Sequence, residues 1–217
     1  MKIKAVIFDL DGTLLDTLQD LADATNNALK HYGFPQHPTD AYKYYIGEGR
    51  EKLADLALPV EQRKPENIQK VVKMIDRLYL NNWAVNSRPY YGIPKLLDEL
   101  TAQQIKKAVL SNKSLYFTDV MVKVLLSKWS FDIVLGVSDV TPKKPDPAGA
   151  LHIIRDLRVS PEETIYLGDT DIDMETAITA GIYPVGALWG FRTADELKAG
   201  GAKLLIKHPQ ELLELFK

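Results

Sequence analysis

The chain has 217 residues, 46% apolar and 26% charged, with 27 Lys and Arg set against 29 Asp and Glu. That balance suits one globular domain or a domain carrying an insert, and it leaves no basic excess to neutralise a nucleic-acid backbone. The absence of cysteine removes disulfide scaffolds, thiolate metal sites and thiol nucleophiles together. No apolar run reaches the ~20 residues of a membrane span, and the first one is too short for a signal-peptide core. A cytoplasmic chain with no nucleic-acid and no membrane partner is therefore expected.

Residues 3–8 are β-rich and almost unbroken, the pattern of a strand buried on both faces. They run into Asp9-Leu10-Asp11-Gly12-Thr13. Residues 17–83 carry no strand pattern. Leu18, Leu21, Ala22, Thr25, Ala28, Leu29 and Tyr32 fall at i, i+3, i+4, i+7 spacing, and so do Ile68, Val71, Val72, Ile75, Leu78 and Tyr79. These are two amphipathic helices. Pro35 and Pro38 separate the first from a middle helical pair expected at residues 41–46 and 48–57. The simplest account is an all-helical module, residues 16–83, inserted into a core of residues 1–15 and 84–217.

Beyond the insert, short apolar runs at residues 107–110, 132–137, 164–167 and 183–188 alternate with helical patterns. The first helix is expected at residues 93–100, with Pro94 in its opening turn. Ser160-Pro161-Glu162-Glu163 and Thr193-Ala194-Asp195-Glu196 read as capping boxes, and Gly181 stops a helix over residues 173–180. Strands alternating with helices predict an α/β fold: a Rossmann-like parallel sheet in a three-layer α/β/α core, with right-handed crossovers and the helical insert.

Ligands of such sheets bind at the carboxyl ends of the strands. Asp9 and Asp11 follow the first strand, and Ser111-Asn112 follow the second. Lys144-Pro145-Asp146-Pro147 follow the third, and Gly168-Asp169-Thr170-Asp171-Ile172-Asp173 the fourth. Singly, each has an ordinary reading: an acidic turn, a helix cap, a surface turn, an acidic helix start. Four together at successive strand ends form an acidic and lysine-bearing constellation. The histidines at 31, 37, 152 and 208 are scattered and suggest no imidazole metal site. Arg50, in the Gly47-Glu48-Gly49-Arg50 turn, is a candidate for meeting a substrate anion, and Arg192 follows the fifth strand.

With Asp9-Leu10-Asp11-Gly12-Thr13, Ser111, Lys144 and Gly168-Asp169 with Asp173, the chain resembles the haloacid dehalogenase-like phosphohydrolases over nearly its whole length. The insert resembles that family's helical cap, and Asp16-Thr17 and Arg88-Pro89-Tyr90-Tyr91-Gly92 resemble its cap junctions. Within the family the likeness is to its phosphoglycolate phosphatases. The resemblance implies Mg²⁺-dependent hydrolysis of a small phosphorylated metabolite through an aspartyl-phosphate. Asp9 would be the nucleophile and Asp11 the general acid and base. Ser111 would donate to a phosphoryl oxygen and Lys144 would neutralise charge. Asp9, Asp11 (through its carbonyl), Asp169 and Asp173 would hold the metal, and Gly12, Thr13, Asn112 and Arg50 would meet substrate. Asp171 is an additional acid without an assigned role.

A β-phosphoglucomutase-like phosphomutase, a pyrophosphatase and a nucleotidase share these motifs. A dehalogenase has no need of Asp11, and a non-enzymatic binding protein would typically have lost a nucleophile or metal ligand. A monomer or a homodimer is the expected assembly.

Overall fold

The structure is a computed structural model that describes residues 2–216. β1 (Ala5–Phe8) is buried along its whole length, as its uncharged sequence allows. A short β2 (Leu15–Asp16) leads into α1 (Leu18–His31), α2 (Arg50–Ala57) and α3 (Pro65–Asn82), and the chain returns through β3 (Arg88–Pro89). β2 and β3 pair with each other as a two-stranded sheet. The rest alternates: α4 (Ile93–Ala102), β4 (Lys106–Ser114), α5 (Leu115–Leu125), β5 (Ile133–Val137), α6 (Ala148–Leu157), β6 (Thr164–Gly168), α7 (Asp171–Thr179), β7 (Tyr183–Ala187), α8 (Ala194–Ala199) and β8 (Leu204–Ile206).

The chain divides into two compact units, Met1–Leu15 with Pro89–Lys217, and Asp16–Arg88. The first holds a six-stranded sheet in the order β5-β4-β1-β6-β7-β8, with every pairing parallel. Ala5, Ile7, Ala108, Leu110 and Tyr166 pack with Ile153, Ile154 and Leu157 of α6 and Ala177 of α7. The alternate residues Val6, Phe8, Val109, Ile165 and Leu167 are equally buried. Both faces of the sheet are therefore covered, as its unbroken apolar strands require.

Phe8 stands opposite Val109 of β4 and Leu167 of β6, so the residues that follow Phe8, Val109 and Leu167 emerge side by side. The chain runs from β1 outward through β4 and β5, then crosses back to β6 on the other side of β1. This change of direction is the topological switch point at which α/β sheets form their binding crevices.

The second unit has its own core, with Ala28 and Leu29 of α1, Ala54 and Ala57 of α2, and Val71, Val72 and Ile75 of α3. Its middle segment departs from expectation. Residues 39–44 form a 3-10 turn rather than an α-helix, and α2 begins at Arg50 rather than at 48. Gly47 and Gly49 take φ of 131° and 88°, which a right-handed helix excludes. The boundary at Arg88 is anchored by Asp20. Its carboxylate accepts hydrogen bonds from the backbone N–H and Nδ2 of Asn86 and from the N–H and Oγ of Ser87, at 2.7–3.0 Å.

β4 outruns its apolar stretch. Leu110 pairs with Leu135 and the next registered pair is Ser114 with Val137, so residues 111–113 on β4 face Gly136 alone. This bulge lifts three side chains out of the ladder and re-aims them.

Candidate active site at the strand ends

Asp9 follows β1, and the chain turns at once. Leu14 and Leu15 both donate from their N–H to the Leu10 carbonyl, and Gly12 takes φ of 85°. A Cβ on Gly12 would lie 2.2 Å from Asp169 Oδ2, and a Cβ on Gly190 would lie 2.2 Å from Asp169 Cβ. Only glycine lets two backbone segments close on this carboxylate. Asp169 is completely buried. Thr13 Oγ1 donates to its Oδ1 at 2.7 Å, and the Phe191 N–H donates to its Oδ2 at 2.9 Å. Trp189 Nε1 in turn donates to the Thr13 carbonyl. Thr13 thus supports Asp169 through its side chain.

Lys144 is held from behind. Asn112 accepts the Lys144 N–H at 2.7 Å through Oδ1 and donates to the Lys144 carbonyl from Nδ2 at 3.1 Å. Asn112, expected to meet substrate, uses both ends of its amide on the Lys144 backbone. The Lys144 ammonium reaches Asp173 Oδ1 at 2.7 Å and Asp9 Oδ1 at 2.8 Å. The contact with Asp9 is an ion pair, and among the described residues Asp9 Oδ1 has no hydrogen bond apart from it. Asp173 also accepts from the N–H and Oγ1 of Thr170 through Oδ2, capping α7. The buried Ser111 hydroxyl accepts the Lys113 N–H at 3.2 Å. The Asp11 carboxylate meets the Lys113 ammonium at 2.9 Å.

Burial, reinforced by the Asp173 charge and only partly offset by Lys144, raises the Asp9 carboxyl to about 7. Burial, with repulsion from Asp9 and Asp173, holds Asp169 well above the carboxylate range despite its two hydrogen bonds. Burial alone would depress the Lys144 ammonium, but the Asp173 and Asp9 charges overcome it and hold its pKa well above the usual lysine value. The site is short of positive charge.

Asp9, Asp169 and Asp173 each offer a carboxylate oxygen, all within 4.8 Å of one another. A buried all-oxygen donor set with one carboxylate oxygen lacking a hydrogen bond suits a hard divalent cation such as Mg²⁺. The Asp11 carboxylate lies outside this group.

The remaining candidates have partners of their own. Arg50 is half-exposed, and its Nη1 donates to Asp76 Oδ2 at 2.7 Å within the helical unit. Arg192 is largely buried, with Nε 3.7 Å from Asp171 Oδ1, and Asp171 is exposed. Sequence reasoning missed Lys113, although it directly follows Ser111-Asn112. It also missed the Trp189-Gly190-Phe191 segment that closes over Asp169, for which only the position after the fifth apolar run was a signal.

The family model of the haloacid dehalogenase-like hydrolases matches residues 6–187. The chain is 32% identical over 213 residues to the phosphoglycolate phosphatase of Aquifex aeolicus, covering 98% of this chain and 96% of that one. It is 29% identical over 216 residues to the N-acetylmuramic acid 6-phosphate phosphatase of Pseudomonas aeruginosa, covering 99% and 95%. Among solved structures, a candidate phosphoglycolate phosphatase from Lactobacillus delbrueckii subsp. bulgaricus superposes with a TM-score of 0.94 at 28% identity, covering 100% of this chain and 99% of that one. The acidic crevice at the switch point thus sits on a frame shared over the full length of these relatives, and the chain belongs to the haloacid dehalogenase-like hydrolase family, as a phosphoric monoester hydrolase.

Proposed function

We propose that the chain is a Mg²⁺-dependent phosphatase of small phosphorylated metabolites, with 2-phosphoglycolate as its preferred substrate and the helical unit as a cap. The observation that carries this reading is the state of Asp9. Its buried Oδ1 has, among the described residues, no partner but the Lys144 ammonium, and two further buried carboxylates stand beside it. A carboxylate kept short of donors is a nucleophile in waiting.

Asp9 attacks phosphorus, forming an acyl-phosphate bond as the ester P–O bond breaks. The electron pair leaves on the alcohol oxygen, which takes a proton from Asp11. Water then attacks the same phosphorus and gives its proton to Asp11, and the Asp9 carboxylate departs as inorganic phosphate forms. Lys144 offsets the negative charge, with Asn112 fixing its backbone. Ser111 donates to a phosphoryl oxygen, while Gly12 and Thr13, whose N–H groups are used within the turn on the Leu15 and Leu10 carbonyls, shape the substrate end of that turn. Asp9 and Asp169 are the carboxylates with capacity for the cation, joined by the Asp11 carbonyl and supported by Asp173. When bound, Mg²⁺ would neutralise the crowded carboxylates and the phosphoryl oxygens. Arg50 would read a leaving-group anion only by giving up Asp76.

The choice of 2-phosphoglycolate rests on the Aquifex aeolicus relative and several others of the same name. The test is kcat/KM for 2-phosphoglycolate, N-acetylmuramic acid 6-phosphate and p-nitrophenyl phosphate, with Mg²⁺ and in excess EDTA. The expected result is Mg²⁺-dependent turnover with 2-phosphoglycolate ahead. A lead for the muramic acid ester would transfer the substrate assignment, and full activity in chelator would end the metal reading.

A further inference from the structure

Two lysines with largely buried side chains face carboxylates at the strand ends. Lys144 faces Asp9 and Asp173, and Lys113 faces Asp11. The Lys113 and Asp11 side chains retain only 8% and 11% of their exposure, so this pair is not a solvated surface bridge. Lys113 is the last of the three residues that the β4 bulge lifts from the ladder. Its N–H is anchored on Ser111 Oγ, and its ammonium spans 102 positions of sequence to reach Asp11.

We propose that Lys113 is a positioning residue for Asp11. Resting on the phosphatase reading above, the inference is that the ammonium fixes the Asp11 carboxyl in the rotamer from which it exchanges a proton with the leaving oxygen. Lys113 touches neither phosphorus nor the attacking oxygen. A carboxyl released from this hold would sample several rotamers, and few would face the departing alcohol. The consequence depends on the leaving group. An alkoxide is strongly basic and needs the proton as it departs, whereas p-nitrophenolate is stable without one.

The experiment compares kcat/KM of the parent and Lys113→Met for ethyl phosphate, 2-phosphoglycolate and p-nitrophenyl phosphate in saturating Mg²⁺. The expected loss is roughly 10- to 100-fold for both alkyl esters, part of the usual general-acid contribution, and several-fold less for the nitrophenyl ester. In an Asp11→Asn background, Lys113→Met should cost little more, because the lysine acts through the aspartate. Lys113→Arg keeps the charge but moves the donors, and should give a smaller loss with the same leaving-group order; it serves if the methionine variant does not fold.

Equal losses on all three esters, persisting without Asp11, would make Lys113 a structural charge and overturn the inference. A loss confined to 2-phosphoglycolate and expressed in KM would make it an anion-binding group, which also overturns it. A parent inert on all three esters would defeat the phosphatase reading itself, and this inference with it. A parent that is active, with its ester ratios unchanged by either substitution, defeats the inference alone.

Discussion

Asp20 and Asp169 are both buried carboxylates, yet their surroundings are opposite. Asp20 in the helical unit accepts hydrogen bonds from two backbone N–H groups, an amide and a hydroxyl. Burial pushes its carboxyl up, but the Ser87 and Asn86 bonds outweigh it and hold the group below its ordinary value. Asp169 has two donors and two carboxylate neighbours, and burial with their repulsion pushes it well up. A saturated buried carboxylate is a structural tie. An under-supplied one beside others of its kind leaves a demand that a proton or a cation from solution can meet, which makes it a candidate for chemistry.

The largest effect is expected at Asp9. Asp9→Asn keeps the shape and removes the attacking oxygen, so kcat should fall on the order of 10⁴-fold or more. A mild loss, measured on p-nitrophenyl phosphate, would move the nucleophile elsewhere and erase the contrast between the two regions.

The second expectation is pH-dependent and opposite in sign for the two regions. In metal-free protein the raised Asp9 group keeps its proton in the native state up to about 7, while the unfolded chain releases it near 3.8. The native state binds more protons across that window, so stability falls as pH rises through it, by on the order of 4 kcal/mol from Asp9, and the raised Asp169 acts in the same direction. Asp20 is lowered, so its contribution is full above its unfolded value and is lost as pH falls through its native one. Denaturant melts with EDTA between pH 4 and 8 measure the first trend, and saturating Mg²⁺ should remove it.

A third test crosses the two. Asp20→Ala leaves buried donors unpaired and should cost about 2–3 kcal/mol, with the Mg²⁺-induced rise in melting temperature retained. Asp169→Asn should remove that rise, which in the parent reflects a stabilisation of about 2.7 kcal/mol at one hundred times Kd. Thermal melts with and without Mg²⁺ read both. The smallest effect belongs to Arg50→Ala. Its half-exposed pair with Asp76 contributes at most about 1 kcal/mol, a shift of a few degrees. A selective rise of KM for 2-phosphoglycolate would instead return Arg50 to the substrate.

The parallel sheet was legible because β1, β6 and β7 are apolar runs ending in turns or acidic residues, and their periodicity survives folding. α5 and α6 were not singled out, although Ala150, Ile153, Ile154 and Leu157 repeat at helical spacing. β8 is three residues long and too short to carry a period. Asp9, Lys144, Asp169 and Asp173 converge as their positions at strand ends suggested. The Lys113 pair with Asp11 was not legible, because it depends on a register shift in β4 that leaves no mark in composition. The detailed use of Asn112 and Thr13 was hidden for a related reason: their partners lie 32 and 156 positions away.

The β4 bulge has a consequence for how this enzyme could be altered. A residue in a parallel ladder answers to both neighbouring strands, so its replacement disturbs the sheet and the chemistry together. Residues 111–113 are relieved of that double duty while staying tethered at Leu110 and Ser114. The ladder leaves them room to vary, but Asn112 is tied to the Lys144 backbone and Lys113 to Asp11. Reactivity can therefore be retuned there only by exchanging a side chain together with the distant partner it holds, whereas a change in β1 disturbs the sheet itself.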